Sequence, residues 1–455
     1  MRCGFYETEI TPPLGTTIFG YFGRRVNVGV KHKLYAKACV LEQNRNYCAM
    51  LVLDTLAVPA SFPAFIRQYV HEKTGIDPNA ILIAATHAHT GFPTTDDLGV
   101  HKTPNVAENE PALHPELDKL ALEWIRLVSA DTIVHAYRQL REATVRFGVG
   151  EVDNISYVRE YILDDGTVRT NPNYCKERIV KPCAEPDKAL PLFFFEDTQG
   201  KPLGSIASFA LHHDIISGTE ISSDYSGVVS RNMKKTFGSE FVSMFFAGFC
   251  GNINHANYMG EKKGEPFLKT YEETGNLLYA EMMRILAKAE LLPDGLNMRL
   301  ETVKIQKRQV PEGFLDSVKE VVKNPPPFTE PFAIDDPYSN RMKYAASARV
   351  IEYYGQEPDK VFDVPVQVIK IGSCLIWALP GEMFCQFADK LRSASPTQNN
   401  MFVENANHTD HPYIPTKEMF LPYVYESTYY SARFEPDAGD IMTDKAIELA
   451  NTLFA

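Results

Sequence analysis

ILIAATHAHTG, residues 81–91, is an apolar run rich in β-branched side chains that ends in two histidines spaced i, i+2. Such a run reads as a buried strand, and along a strand that spacing puts His87 and His89 on one face. A strand that delivers two imidazoles to one point is half of a metal site. The pattern also arises in unrelated folds and by chance, so the other ligands must be found elsewhere in the chain.

On the N-terminal side, YAKACVLEQ (35–43) and YCAMLVLD (47–54) read as two strands joined by a turn at residues 44–46. Residues 61–73 carry a helical pattern, and Gly75 stops it before the histidine strand. On the C-terminal side, helices are expected near 114–142, 226–237, 268–291, 311–323 and 338–355, with one more after Pro380. Strands are expected near 143–149, 191–196, 203–211, 241–249, 298–307, 364–371 and 374–379. Strands alternating with helices define an α/β chain, layered on a mixed sheet. The polar stretch 153–190 reads as a long excursion from that sheet, and 405–440 as a loop-rich tail. Neither a repeat nor a low-complexity linker divides the chain, so residues 1–455 are expected to form a single domain.

The 455 residues are 44% hydrophobic and 23% charged, which is enough apolar material for a large core. A formal net charge of −12 argues against nucleic acid and against an anionic membrane surface as partners. There is no membrane-span-length apolar run and no signal peptide pattern at the N-terminus, so a cytoplasmic location is expected. The 8 cysteines are scattered without a CxxC pair, and read as reduced, mostly buried thiols.

Five further pieces carry chemistry. FALHHD (209–214) ends another strand in His212 and His213, which point opposite ways if extended. SSDYSG (222–227) offers Asp224 as a helix N-cap or a carboxylate supporting a site. FFAGFCGNINH (245–255) runs a strand into a turn of small residues, a way to bring backbone N–H groups close to a ligand. ALPGEMF (378–384) puts Glu382 just after a strand, in the first turn of a helix, where it also complements the helix N-terminus. YESTYYSARFE (425–435) holds the pair Tyr429 and Tyr430 in a polar loop. Each alone has a plain structural explanation; the joint occurrence favours a site.

The order ITPP, LYAKACVL, ATHAHTG, DGTVRTNP, FALHHD, SSDYSG, FCGNIN, LPGE, YIPT and ESTYYS resembles the catalytic domain of neutral/alkaline, non-lysosomal ceramidases over roughly residues 5–435. The resemblance implies the neutral ceramidase type of fold. It also implies one Zn2+ held by His87, His212, Glu382 and Tyr430, with Tyr429 the alternative if the match slips by one. Two His, a Glu and a phenol also suit other divalent metals. His89 is implied as the general base for metal-activated water, and Arg159 as a donor to the scissile carbonyl.

The chain departs from the family in the small-residue turn. Ceramidases carry GDxSP there; here Asn252 stands at the Asp and Asn254 at the Ser. An amide can donate to an oxyanion but cannot accept an acyl group, which closes a serine route and leaves a metal route open. The C-terminal immunoglobulin-like domain of the family has no counterpart, nor is there an apolar helix suited to extracting lipid. A small, soluble N-acyl substrate is therefore expected rather than ceramide. His101, His255, His408 and His411 are candidates to line a more polar pocket. The leading expectation is an amidase. Rivals are a metal-dependent esterase or sugar deacetylase, and a non-catalytic ligand-binding member of the fold. A TIM-barrel amidohydrolase also uses HxH, but the Lys or His and strand-end Asp it needs do not emerge from this chain.

Overall fold

The computed structural model describes residues 1–21, 25–59, 61–92, 112–172, 178–260, 267–327, 340–407 and 412–454. Its main sheet has nine strands. Eight lie on one path: β1 (Arg2–Glu9), β2 (Tyr35–Gln43), β3 (Asn46–Leu53), β4 (Ile81–Ala85), β5 (Arg141–Glu151), β6 (Ala189–Asp197), β7 (Pro202–Phe209) and β8 (Val242–Ala247). Their order is β8-β7-β6-β5-β1-β2-β3-β4, with Glu290–Leu291 pairing on β5. Parallel pairing is confined to the two ends, β7 with β8 and β3 with β4, where a helix returns the chain.

Both faces of this sheet are covered, which explains why its strands read as unbroken apolar runs. In β6, Phe193 and Phe195 face one core while Leu192 and Phe194 face another. Helices α1 (Ser61–Thr74) and α2 (Pro115–Arg138) cover the β1–β4 half, packing Ile66, Ile125 and Ile133 on Leu51 and Ile83. Helices α3 (Asp224–Phe237) and α4 (Tyr271–Leu286) cover the other half through Met233 and Met282. Two further helices, α5 (Phe314–Lys323) and α6 (Asn340–Tyr354), pack on each other.

A second sheet lies against the inner face. It runs β9 (Leu296–Gln306), β10 (Val361–Ile371) and β11 (Cys374–Ala378); a two-residue strand β12 (Glu382–Met383) intervenes before β13 (Asn399–Val403) pairs parallel with β11. Helices α7 (Gln386–Ala394) and α8 (Ala438–Phe454) close its outer face through Phe387, Leu391, Met442 and Leu449. The layering is α/β/β/α, with Phe193, Met244, Ile369 and Met401 in the central core. It is a mixed α/β architecture, as expected.

Among the described residues, β1, β13 and α8 go beyond the sequence reading, and β12 stands where a helix start was expected. The excursion 153–190 also contains a small sheet of Glu160–Leu163, Val168–Thr170 and Ile179–Pro182. Cys3, Cys39, Cys48, Cys183, Cys250, Cys374 and Cys385 are all free thiols. Among the described residues no helix is long and apolar enough to cross a membrane.

The segment 404–407, just past β13, joins the two ends of the main sheet. Glu404 N donates to Ala247 O at the end of β8, while Ala85 N at the end of β4 donates to Asn405 O. Asn407 N donates to Ile83 O. The C-terminal ends of β4, β7 and β8 are thereby brought to one place.

Candidate metal centre

His87 and His89 lie at that place, but not on a strand. β4 ends at Ala85, and His87 takes a left-handed conformation, φ 69°. A side chain other than glycine is rare there, and such strain concentrates at functional positions. The loop is fixed by Thr86 N to Leu53 O, Ala88 N to Thr55 O and His89 N to His213 O. The imidazoles converge all the same, with Nε2 atoms 3.2 Å apart. The convergence comes from the loop and not from the two-residue period of a strand.

His212 follows β7 and is fully buried. Its neighbour His213 turns away and stacks on Tyr225, ring centroids 4.1 Å apart. Glu382 reaches the same point from β12; helix α7 begins only at Gln386, so Glu382 is in a strand and not in a first helical turn. Its Oε2 lies 3.3 Å from His87 Nε2 and 3.2 Å from His212 Nε2. Among the described residues, His87, His89 and His212 form a buried trio whose ligand atoms all lie within 4.8 Å.

These separations are those of ligands around one ion. Donors at 2.0–2.1 Å from a tetrahedral Zn2+ stand about 3.3–3.4 Å from each other. Among the described residues, Glu382 Oε2 and His212 Nε2 make no aligned hydrogen bond although they face each other. Buried polar atoms without partners are costly, and a shared cation satisfies both. His87 Nδ1 lies 2.9 Å from Leu56 O. A carbonyl only accepts, so Nδ1 carries a hydrogen and Nε2 is the nitrogen left to bind a metal once it gives up its own proton, as in ligating histidines.

The electrostatics follow from burial and the single carboxylate. Burial works against charge on His87, but Glu382 beside it prevails and raises its pKa to about 9. His89 is pushed down to about 3 by burial, with His87 and His212 adding to the effect. His212 is lowered by burial and then by Arg159. Burial opposes ionisation of Glu382, yet His87 and His212 hold it well below the usual carboxylate range.

Four tyrosines line the pocket with His87, His89 and Glu382: Tyr21, Tyr413, Tyr425 and Tyr430. Tyr429 does not; it packs on Phe314 at 4.6 Å and under the Arg308 guanidinium at 4.0 Å. Tyr413 went unread as a site residue, although it opens the YIPT motif. It lies in β14 (Tyr413–Ile414), whose parallel pairing with β12 makes Glu382 and Tyr413 direct partners. Opposed residues of such a pair share a face.

Arg159 is buried and spends its guanidinium locally. Nε meets Glu426 Oε1 at 2.6 Å, a terminal nitrogen donates to Gly251 O, and the Tyr413 ring lies 5.2 Å away. It thus reaches the pocket through Tyr413. Asn254 Nδ2 donates to Asn171 Oδ1 at 2.8 Å and its Oδ1 accepts from Ala256 N at 2.9 Å. Neither residue is on the wall of the pocket. Asn252 accepts from Cys385 N and donates to Gln386 Oε1, holding the start of α7.

The small-residue turn spends two of its N–H groups on neighbouring chain. Cys250 N donates to Glu404 Oε2 and Gly251 N to Met383 O. A Cβ on Gly251 would lie 2.2 Å from Glu382 O, so this glycine lets the turn back onto the ligand strand. Asp224 is not the N-cap of α3, a position held by Ser223; its carboxylate accepts from Ile216 N and Tyr225 N and braces the loop after His212. His255 is partly exposed, and His101, His408 and His411 lie outside the described residues.

One support was invisible in sequence. Gly20, φ 123°, lies flat on the His89 ring, where a Cβ would come 2.9 Å from Nδ1. Beside it, Tyr21 donates to Asp214 Oδ1 at 2.9 Å and Arg25 donates to His89 O at 2.8 Å. This strap holds the second histidine from the solvent side.

The same fold is found in neutral ceramidase from Pseudomonas aeruginosa, with a TM-score of 0.72 and 17% identity, over 99% of this chain and 74% of that one. A ceramidase complexed with C2 superposes with a TM-score of 0.73 and 17% identity, over 100% of this chain and 75% of that one. No family model and no curated protein matches the sequence. The chain therefore has a neutral ceramidase-like fold, at low sequence identity.

Proposed function

We propose that this protein is a zinc-dependent hydrolase that cleaves a carbon–nitrogen amide bond in an N-acyl substrate. The observation that carries the reading is the convergence of His87 Nε2, His212 Nε2 and Glu382 Oε2 at 3.2–3.3 Å, with partnerless atoms facing one another. The ceramidase-like fold supports amide hydrolysis as the bond type.

His87, His212 and Glu382 would hold the ion, and a phenol would complete the set. The β12–β14 pairing favours Tyr413, with Tyr430, implied by the resemblance, as the alternative. A bound zinc would supply Lewis acidity and lower the pKa of a coordinated water to about 7. His89, against His87, would accept a proton from the attacking water and return it to the departing amine. The water oxygen bonds to the acyl carbon, the C–N bond breaks, and acid and amine leave. Tyr425, or whichever of Tyr413 and Tyr430 is not a ligand, is within the pocket to donate to the oxyanion. Arg159 acts as a positioning residue behind Tyr413, and Asn254 behind the loop at Asn171.

The pocket around the ligands is small, about 100 Å3, which favours a compact reacting group over a two-chain lipid. The test is elemental analysis of wild type and His87→Ala, followed by an amide panel on the metal-loaded protein. About one zinc per chain, lost in the variant together with amide cleavage, supports the reading. Hydrolysis that survives in metal-free protein overturns it.

A further inference from the structure

Behind Tyr413 two carboxyl groups meet one guanidinium. Glu160 and Glu426 are both fully buried, and Arg159 is buried with them. Arg159 Nε lies 2.6 Å from Glu426 Oε1, and Thr170 Oγ1 donates to Glu426 Oε2 at 2.7 Å. Both oxygens of Glu426 are thus taken as acceptors, which marks it as the ionised member. The small sheet of the excursion brings Glu160 to the same place. Glu160 and Thr170 are direct partners in its antiparallel pairing. Such partners share a face, with Cβ atoms about 4.5–5.5 Å apart. Glu160 therefore stands beside the hydroxyl that holds Glu426.

Neither oxygen of Glu160 has a hydrogen-bond partner among the described residues. A buried carboxylate without donors is costly, and two carboxylates at one site do not both stay ionised. Other nearby groups supply no second positive charge to the pair. Arg169 opposes Tyr161 and so belongs to the other face, and Lys181, opposite Ile162, is exposed. Cys183, whose N donates to Glu160 O, and Cys385, ahead of α7, are thiols that burial pushes up and keeps neutral. Burial likewise raises the phenols of Tyr413 and Tyr425.

We infer that Glu160 carries a proton and donates it to Glu426, so that Glu160, Glu426 and Arg159 form one unit of no net charge that positions Arg159 behind Tyr413. Burial, with Glu426 adding to it, holds Glu160 well above the ordinary carboxylate range. With Glu160 neutral, a terminal nitrogen of Arg159 stays on Gly251 O and the guanidinium stays 5.2 Å from the Tyr413 ring. A second carboxylate would compete with the phenol for the same guanidinium. Glu160 is thus a positioning residue. Its bearing on catalysis rests on the hydrolase reading above; the shared proton does not.

The experiment is infrared difference spectroscopy of the full chain, in the region of the protonated carboxyl C=O stretch. Wild type minus Glu160→Gln and wild type minus Glu426→Gln are each expected to show one acid band, because either amide leaves one carboxylate for one guanidinium. No band in either difference overturns the proposal. A band in only one of them gives that residue a proton of its own and overturns the pair. Should a variant fail to fold, wild type labelled with carbon-13 at glutamate Cδ suffices. An isotope-shifted acid band is expected to persist at pH 9, above the value of about 8 to which Glu404 is raised, and its absence overturns the proposal. On zinc-loaded protein, Glu160→Leu, checked for an intact fold by melting, is expected to lower kcat by about tenfold or more with zinc content unchanged. Glu160→Gln, which keeps a donor, is expected to restore most of it. Equal kcat in wild type and Glu160→Leu overturns the positioning role. The acid bands without turnover of any amide by wild type leave the shared proton standing and remove the hydrolase reading, whereas turnover without the bands does the reverse.

Discussion

Glu382 and Tyr413 are direct partners in a parallel two-residue pairing, so one carboxylate and one phenol leave the backbone side by side. Burial holds the Tyr413 phenol well above its ordinary range, and the Arg159 guanidinium, 5.2 Å from its ring, works in the opposite direction, so ionisation of this phenol would depend on a bound cation. Tyr413→Phe is therefore expected to weaken zinc affinity by at least about 10-fold, on the scale of losing a tuned contact at a metal site. Tyr430→Phe is expected to leave affinity within about twofold. Competition with a chromogenic chelator measures both; the reverse ranking returns the fourth position to Tyr430.

His87 and His89 are expected to separate in function. His87→Ala should lose the metal. His89→Gln should keep it and lose about 10²–10⁴ in kcat, the usual contribution of a proton carrier. Zinc content measured beside kcat for each variant decides the matter, and loss of zinc in His89→Gln makes His89 a ligand.

Gly20 lies on the His89 ring in a conformation that L side chains rarely adopt, φ 123°. Gly20→Ala is expected to cost about 1–3 kcal/mol of stability, from backbone strain and displacement of the strap. Because the clash falls on Nδ1 and Cγ of His89, kcat should fall more than zinc affinity. Urea melts and zinc titration together check this; an unchanged kcat would remove the strap from the catalytic apparatus.

Glu404 is fully buried, and its pKa is raised to about 8 by burial and then by Glu382. A carboxyl whose native-state value exceeds its unfolded value, here 4.5, holds its proton more tightly when folded. Its contribution to stability is whole below the unfolded value and is lost as pH climbs through the native one. Metal-free wild type should accordingly lose on the order of 4 kcal/mol relative to Glu404→Gln between pH 5 and pH 9. The amide can also donate to Asn405 Oδ1, which has no hydrogen-bond partner among the described residues. Parallel urea titrations at the two pH values suffice; parallel loss in both proteins refutes the assignment.

Much of the layered fold was legible because strands buried on both faces, such as Ile81–Ala85 and Ala189–Asp197, read as plain apolar runs. The meeting of His87, His212 and Glu382 was expected from motif order, but the local geometry was not. His87 takes its direction from a left-handed backbone tied to Leu53 and Thr55, which no two-residue period encodes. Glu382 was taken for a helical residue because Pro-Gly-Glu resembles a helix start, yet Glu382 N is engaged by Pro412 O across thirty residues of chain. The turn FCGNIN looked like a source of donors, and its Cys250 and Gly251 amides go instead to Glu404 and Met383. In each case a partner distant in sequence decided the conformation.

The bridge at 404–407 has a consequence for when the protein becomes able to hold an ion. The donors at 87, 212 and 382 come from chain regions that the bridge ties together, Asn405 and Asn407 bonding to β4 and Glu404 to β8. A nascent chain released before residue 400, or one nicked in that bridge, carries most of the donors and none of the chelation. On the metal reading proposed above, ion uptake would therefore report completion of the whole molecule, and a bound ion would pin opposite rims of one sheet against reopening.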